Sequence, residues 1–352
     1  MPTIYDVARV AGVSAKTVSR VMNGDAPVNA RTREVVEAAM GELGYVPSIA
    51  ARTMRSQRSG LVGLVTGAIS GRQVSGAASG LPDVQIVQGI QRALASEGLT
   101  LLISDTGGEA ARISQLFRTL REHRVEGMFY VADRHMQVDP PEWGAGPLLL
   151  VNAFDNAGTP CILPDDAAGQ RGLVAALIES GHARIGFLTL PAGMVAQRLR
   201  LDGYREALAE AGIGFDADLV VEADRDGGDE EERVLRAALD RLLGLDRPPT
   251  VLCCGNDRLA ITIYGLLRAR GVAVPEGMSV AGYDDFRVIS ETLYPRLTTM
   301  ELPYLRMGEA AARLMLETLR GAKPPPKGTR ITVQGDLRWR DSVVPGPGRT
   351  NQ

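Results

Sequence analysis

The 352-residue sequence predicts a small all-helical unit followed by a long α/β body of parallel sheets arranged in two lobes. Three observations carry that expectation. Two short helical stretches parted by a glycine, and a third close behind, fill the first 45 or so residues. From Gly60 onward, strand-like and helix-like segments alternate for about 280 residues, more than one doubly wound unit needs. The charge also changes sign along the chain. Residues 1–60 hold eight basic residues (Arg9, Lys16, Arg20, Arg31, Arg33, Arg52, Arg55, Arg58) against five acids (Asp6, Asp25, Glu34, Glu37, Glu42), a balance of +3. The whole chain sums to -3, so everything after residue 60 carries -6. A basic front on an acidic body suits a front that meets a polyanion and a body with another task.

The elements follow in order. Thr3 and Asp6 have the spacing of a capping box, and Ile4, Val7, Ala8 and Ala11 then repeat at helical spacing. Gly12 ends that helix, Ser14 caps the next, and Val18, Val21 and Met22 make its inward stripe before Asn23-Gly24. A third helix runs from about Arg31, with Val36, Ala39, Met40 and Leu43 inward and Gly44 as terminator. After Pro47, "SIAARTMRSQRSG" is basic, alanine-rich and without a clear apolar face. The body's strands read as "LVGLVTG", "TLLIS", "GMFYV", "LLLVN", "RIGFLTL", "LVVE", "TVLCC", "SVAGY" and "LTTM". Helices between them include Val84 to Glu97, Ala110 to Arg121, Leu201 to Ala211 and Met307 to Leu319. The expected organisation is a helical unit over 1–47, a linker over 48–59, a two-lobed body over 60–340 and a loose Pro/Gly-containing tail over 341–352.

Composition narrows the class. A hydrophobic content of 45 % and a charged content of 23 % are ordinary for a soluble globular protein. The N-terminus reads as no secretory signal, and the longest apolar run, "GLVGLVTGAISG", is too short and too glycine-rich to span a bilayer, so a cytoplasmic location is expected. Cys161, Cys253 and Cys254 make no CxxC pair and read as buried reduced thiols. His123, His135 and His182 have no metal-ligand spacing, and no GxSxG, GxxxxGK[ST] or HExxH occurs, so neither a metal, a cofactor nor an enzymatic activity is expected.

Helix, glycine-containing turn, helix is the helix-turn-helix pattern, whose second helix enters the major groove of DNA. With Val18, Val21 and Met22 inward, Ala15, Lys16, Ser19, Arg20 and Asn23 face out. Lys16 and Arg20 can donate to guanine, while the hydroxyls of Ser14, Thr17 and Ser19, with Thr3 at the first helix start, can hold phosphates. The same spacing also fits the solvated face of an ordinary helical hairpin.

"TIYDVARVAGVSAKTVSRVMNG", "TREVVEAAMGELGYVP", "AARTMRS", "GHARIGFLT", "RLRLDGYREALAEAG", "CGNDRLAI", "VPEGMSVAGYDD" and "YPRLTTMELPYLRMGEAAARLML" together resemble the lactose-repressor (LacI) family of transcription regulators. The likeness spans nearly the whole chain. It implies base contacts from Ala15, Lys16 and Arg20, with Ala15 limited to a methyl contact. It also implies a hinge helix from Ser48 to Arg55, including Ala51, that folds on operator DNA and wedges Met54, where the family usually has leucine, into the minor groove.

For the body, the resemblance implies two lobes like those of periplasmic sugar-binding proteins, joined by three crossovers near residues 162, 290 and 322. Arg200, Asn256 and Asp284 match effector-contacting positions, with Arg198 as a weaker neighbour, and their donor and acceptor groups suit the hydroxyls of a sugar or a similar small polar effector. By sequence alone Arg200 also fits a surface ion pair, Asn256 a helix cap, and Asp284 or Asp285 a turn residue. The stretch "ISGRQVSGAASGLPD" departs from the family's I-S-N-P-F-F: it lacks the aromatic and is about ten residues longer, a size seen in functional loops. Arg72 and Gln73 could offer polar contacts there, or the loop is simply a surface loop.

The expected function is a DNA-binding repressor, acting as a homodimer on a pseudo-palindromic double-stranded operator, whose affinity a small-molecule effector controls, with no membrane role. The C-terminal "GDLRWRDSVVPGPGRTNQ" holds no leucine heptad of the kind that makes tetramers in some family members. A binding protein without a DNA role is the rival reading, and it predicts no steep salt-dependent DNA affinity.

Overall fold

The computed structural model describes residues 2–23, 28–45, 58–67, 81–139, 144, 146–223 and 229–348. The chain forms two compact units, Met1–Leu61 and Val62–Gln352.

The first unit holds three helices, α1 (Ile4–Val10), α2 (Ala15–Asn23) and α3 (Ala30–Leu43). Thr3 closes the capping box on α1: its backbone N–H donates to Asp6 at 2.9 Å, and the Asp6 N–H donates back to the Thr3 hydroxyl at 3.4 Å. These bonds hold the Asp6 carboxyl below its ordinary range, the Thr3 hydroxyl contributing most. Gly12, with φ +64°, turns the chain between α1 and α2 in the left-handed region that a side chain avoids. Asn29 caps α3, and the chain leaves it at Gly44 in the same left-handed conformation. Val7, Val18 and Val36, one from each helix, are fully buried together with Val21 and Ala39. Of the inward residues expected from spacing, Met22, Met40 and Leu43 pack partly buried against this core.

The second unit contains two six-stranded sheets. In the first lobe the order is β11 (Arg330–Val333), β5 (Cys161–Pro164), β4 (Leu148–Phe154), β3 (Met128–Gln137), β1 (Leu61–Thr66) and β2 (Thr100–Asp105). In the second lobe it is β12 (Leu337–Arg338), β10 (Thr298–Glu301), β9 (Ser279–Asp284), β8 (Val251–Cys254), β6 (Ile185–Thr189) and β7 (Val220–Glu222). The pairings of β1 with β3, β3 with β4, β4 with β5, β5 with β11, β6 with β7 and β8, β8 with β9 and β9 with β10 are parallel, and the edge strand β12 runs antiparallel to β10.

Eight helices cover the described part of this unit: α4 (Leu81–Ala95), α5 (Ile113–Glu122), α6 (Asp166–Glu179), α7 (Val195–Glu210), α8 (Asp229–Leu243), α9 (Asp257–Ala269), α10 (Arg287–Ser290) and α11 (Tyr304–Leu319). In the first lobe α4 and α11 touch backbone to backbone at reciprocal glycines. A Cβ on Gly89 would stand 2.3 Å from the Leu305 carbonyl oxygen, and one on Gly308 would stand 2.2 Å from that of Ile86. One continuous apolar core, including Ile162, Phe187, Tyr204 and Tyr283, runs through both lobes.

The chain passes between the sheets three times, after β5, after β10 and between β11 and β12. The first passage lies close to the expected residue 162, but the other two fall about a dozen residues beyond the expected 290 and 322. The reason is pairing. Residues 298–301 complete the second sheet beside β9 before the chain leaves, and it then returns to the first sheet through β11 beside β5.

The loose tail expected from residue 341 is likewise corrected. Ser342 is fully buried, the Val280 N–H donates to the Ser342 carbonyl at 2.9 Å, and the Gly346 N–H donates to that of Ser180 at 2.8 Å. Val343 joins the core. Residues 341–346 are therefore stitched to the second lobe, because their backbone groups meet the exposed ends of its ladder.

Candidate functional site

Two regions hold the residues expected to act. On α2, Ser14 caps the helix by accepting the Thr17 N–H at 3.1 Å, and the two hydroxyls lie 2.9 Å apart. Lys16 and Arg20 are exposed, while Ala15, Thr17 and Ser19 are half-buried. Lys16 and Arg20 lie four residues apart, hence on one helix face. Asn23 is the last residue of α2, and Thr3 lies exposed at the start of α1. Ala51, Met54 and Arg55, expected to act in a hinge, lie outside the described residues, as do Arg72 and Gln73.

The second region lies at the carboxyl ends of the parallel strands, where open α/β sheets bind their ligands. Asp166 follows β5, Gly255 and Asn256 follow β8, and Asp284 ends β9. Arg200, on the second turn of α7, is buried among them. Its Nε donates to Asp166 Oδ1 at 2.8 Å and its Nη1 to the Gly255 carbonyl at 2.5 Å, with Asp284 Oδ1 3.8 Å from Nη1. The guanidinium lies over the Tyr283 ring, 3.6 Å from its centre. Burial, the largest single influence, would lower the Arg200 pKa, but the charge of Asp166, then Tyr283, Asp284 and the Asp166 hydrogen bond together outweigh it and raise it, so the group stays cationic. Asp166 is its counterpart: burial alone would raise it, yet the Arg200 charge and a 2.8 Å bond from His135 Nδ1 hold it below the usual carboxylate range.

The backbone is strained at the mouth of this region. Asp284 and Asp285 both have positive φ, +118° and +50°, unusual for residues with side chains and found where surrounding contacts over-determine the conformation. Here Arg340 and Ser290 donate to Asp285 Oδ1 at 2.7 and 2.9 Å. Behind them the buried Asp257 accepts from Thr299 and the Phe286 N–H, both at 2.7 Å. Burial first, and then the Asp284 charge, push its carboxyl well above the usual range despite those bonds. A cavity of about 480 Å³ adjoins Asp284, bounded by Asp285, Leu302 and Arg338 on one side and by Gln85 and Gln88 of α4 on the other. Both lobes thus contribute to its wall.

The structure therefore brings Arg200 and Asp284 together and sets Asn256 beside Gly255. Asn256 does a structural task there, its Oδ1 accepting the Leu259 N–H at 2.7 Å as the cap of α9. Arg198 is not part of the cluster. It is exposed, 3.9 Å from Asp202 one turn along α7. Sequence reading missed His135, Asp166 and Tyr283, which complete the cluster. The acidic pair "DD" before a helical run was a visible signal for Asp166, whereas nothing local marks His135.

A helix-turn-helix unit joined to a two-lobed body with polar side chains at its sheet ends defines a class, the ligand-responsive regulators of transcription. The comparisons agree with that class and narrow it. The model for bacterial regulatory proteins of the lacI family matches residues 3–48, and that for a periplasmic binding protein-like domain matches residues 174–343. The transcriptional regulator GalR of Escherichia coli is 33% identical, with 94% of this chain and 93% of that protein aligned. The ribose operon repressor of Haemophilus influenzae is 30% identical over 95% of this chain and 96% of its own. The Lac repressor dimer, solved bound to operator and the anti-inducer ONPF, superposes with a TM-score of 0.76 at 26% identity, covering 97% of this chain and 99% of that one. The complex of the regulator CelR with cellobiose gives a TM-score of 0.63 at 30% identity, covering 97% and 100%. The chain belongs to the lacI family of bacterial transcription regulators. Among the described residues no helix is long and apolar enough to cross a membrane.

Proposed function

We propose that the protein is a repressor working as a homodimer in the cytoplasm, whose affinity for a pseudo-palindromic operator changes when a small polyhydroxylated effector, a sugar or sugar derivative, binds between the lobes. Lys16 and Arg20 of each α2 read bases in the major groove, Ala15 makes a methyl contact, and Thr3, Ser14, Thr17, Ser19 and Asn23 fix the helix on phosphates and base edges. Residues 48–59, with Ala51, Met54 and Arg55, act as the hinge at the centre of the operator. In the body Arg200 and Asp284 hold effector hydroxyls, with Asn256 beside them.

The observation that carries this reading is the buried, ion-paired Arg200 beside Asp284 at the sheet ends, next to a cavity of about 480 Å³ walled by both lobes. That volume falls within the roughly 300–1,000 Å³ of small-molecule sites. A ligand gripped by both walls binds one lobe arrangement better than another, which is all that allosteric control requires. A dimer is supported by exposed apolar side chains on the second lobe. Tyr294 is 96% and Ile261 43% exposed, and Tyr264, one turn after Ile261, donates to the Pro295 carbonyl at 3.0 Å, which keeps the two stretches adjacent. A binding and control role, with no turnover of the ligand, is the expectation.

The experiment is selection and sequencing of genomic DNA fragments retained by the purified protein at moderate salt. A short enriched palindrome, released when a sugar is added and retained poorly as salt rises, is the expected result. Fragments without a common motif, selected equally well by Arg20→Ala, would overturn it.

A further inference from the structure

Among the described residues the buried cluster holds a single side chain from the first lobe, His135. It lies on β3 where the register against β4 jumps between Val131 and Met136, so it stands in a stretch displaced from the ladder. It is 7% exposed, its ring meets Phe154 edge-on at 5.8 Å between centres, and its Nδ1 lies 2.8 Å from Asp166 Oδ2. A carboxylate can only accept, so Nδ1 carries the proton of that bond. Its Nε2 is buried and has no partner among the described residues.

The consequence lies in how Arg200 meets Asp166. An arginine beside a carboxylate tends toward a two-pronged pair, both oxygens engaged by parallel N–H groups. Here Arg200 engages Asp166 Oδ1 through Nε, His135 donates to Oδ2, and Nη1 is directed to the Gly255 carbonyl on the side facing Asp284. Without His135 the carboxylate is free to rotate and draw the Nη1–Nη2 end of the guanidinium to itself in place of Nε, away from Gly255 and Asp284.

We propose that His135 is a positioning residue: by occupying one oxygen of Asp166 it sets the direction of the Arg200 fork, and so ties the effector-contacting arginine of the second lobe to the first. This rests on the assignment of Arg200 as an effector contact. The test reads the orientation of the arginine without any ligand.

The test is the Arg200 Nε–H signal in nitrogen-15 NMR spectra of the full chain, assigned by its loss in Arg200→Lys. His135→Leu removes the donor, while His135→Asn puts an amide donor near the Nδ1 position. The leucine variant is expected to move the signal and speed its exchange with water by about tenfold or more, the worth of one charge-assisted hydrogen bond. The asparagine variant is expected to restore both. Wild-type signal and exchange in His135→Leu, or an asparagine variant no better than leucine, would overturn the proposal. If His135→Leu does not fold, His135→Gln, whose longer amide misses the Nδ1 position, takes its place with the same expectation and the same overturning result. A normal effector response in Arg200→Ala would instead remove the effector assignment and leave the orientation result standing.

Discussion

Arg20 and Arg200 carry the same guanidinium under opposite conditions. Arg20 stands exposed on α2, where water solvates its charge. Arg200 is 3% exposed and held by Asp166, the Gly255 carbonyl and the face of Tyr283. An exposed arginine costs the fold little and is available to a large, charged partner that supplies its own hydrogen-bond acceptors. A buried one must have its partners provided in advance, since an unpaired charge in the interior is prohibitive. The first arrangement suits a reader of long DNA, the second a pre-set contact for a small ligand.

The largest expected effect breaks the buried side of this contrast. Arg200→Ala leaves the buried Asp166 with only His135, and breaking such a pair is expected to destabilise the protein by about 3–5 kcal/mol, measured by denaturant unfolding. The folded fraction should still bind operator and no longer respond to effector. Arg20→Ala is the opposite case. Its unfolding free energy should stay within about 0.5 kcal/mol of wild type. Its preference for operator over mismatched DNA should fall by about 1–3 kcal/mol, read by competition binding at fixed salt.

A smaller change sharpens the comparison at Asn256, where the helix cap and the proposed ligand contact fall on one side chain. Asn256→Ala removes the α9 cap and should cost about 1 kcal/mol of stability, while Asn256→Asp keeps an acceptor for the Leu259 N–H and should recover most of it. Effector affinity that falls in both variants would show the amide's second role.

The smallest effect concerns His182, whose ring bonds Thr250 at 2.8 Å and the Val344 carbonyl at 2.9 Å and so clasps the C-terminal segment. Burial lowers its pKa from the ordinary 6.5, opposed in part by the bond to Val344. The unfolded chain therefore takes up the proton first. Stability from this group is complete above 6.5 and declines as pH falls through the lowered value. The melting temperature of wild type should fall more steeply between about pH 7 and about pH 5 than that of His182→Gln.

Much of the first unit was legible because its signals are local. The Thr3–Asp6 box, Gly12 and Gly44 each act within four residues, and the apolar stripes of α2 and α3 follow helical spacing. The nine strands read from the body were apolar runs bounded by turn residues, and all nine are strands. Three others, β5, β11 and β12, were not read: "CILP" is four residues long, "RITV" alternates with half its residues exposed, and β12 has only two residues. Their existence depends on a neighbouring strand rather than on their own composition.

The same division runs through the candidate site. Helix starts, helix ends, the helix-turn-helix pattern and the sign of the charge on each part of the chain follow from residues a few positions apart, whose interactions need no knowledge of the rest of the fold. The grouping of His135, Asp166, Arg200 and Asp284 does not. These residues come from β3, α6, α7 and β9, and they meet because the sheets place their carboxyl ends together and the chain crosses between them after Pro164. The places of the second and third crossovers and the docking of residues 341–346 were decided in the same way, by hydrogen bonds between strands far apart in the chain. Local propensity carries no information about which distant ladder will accept a short segment.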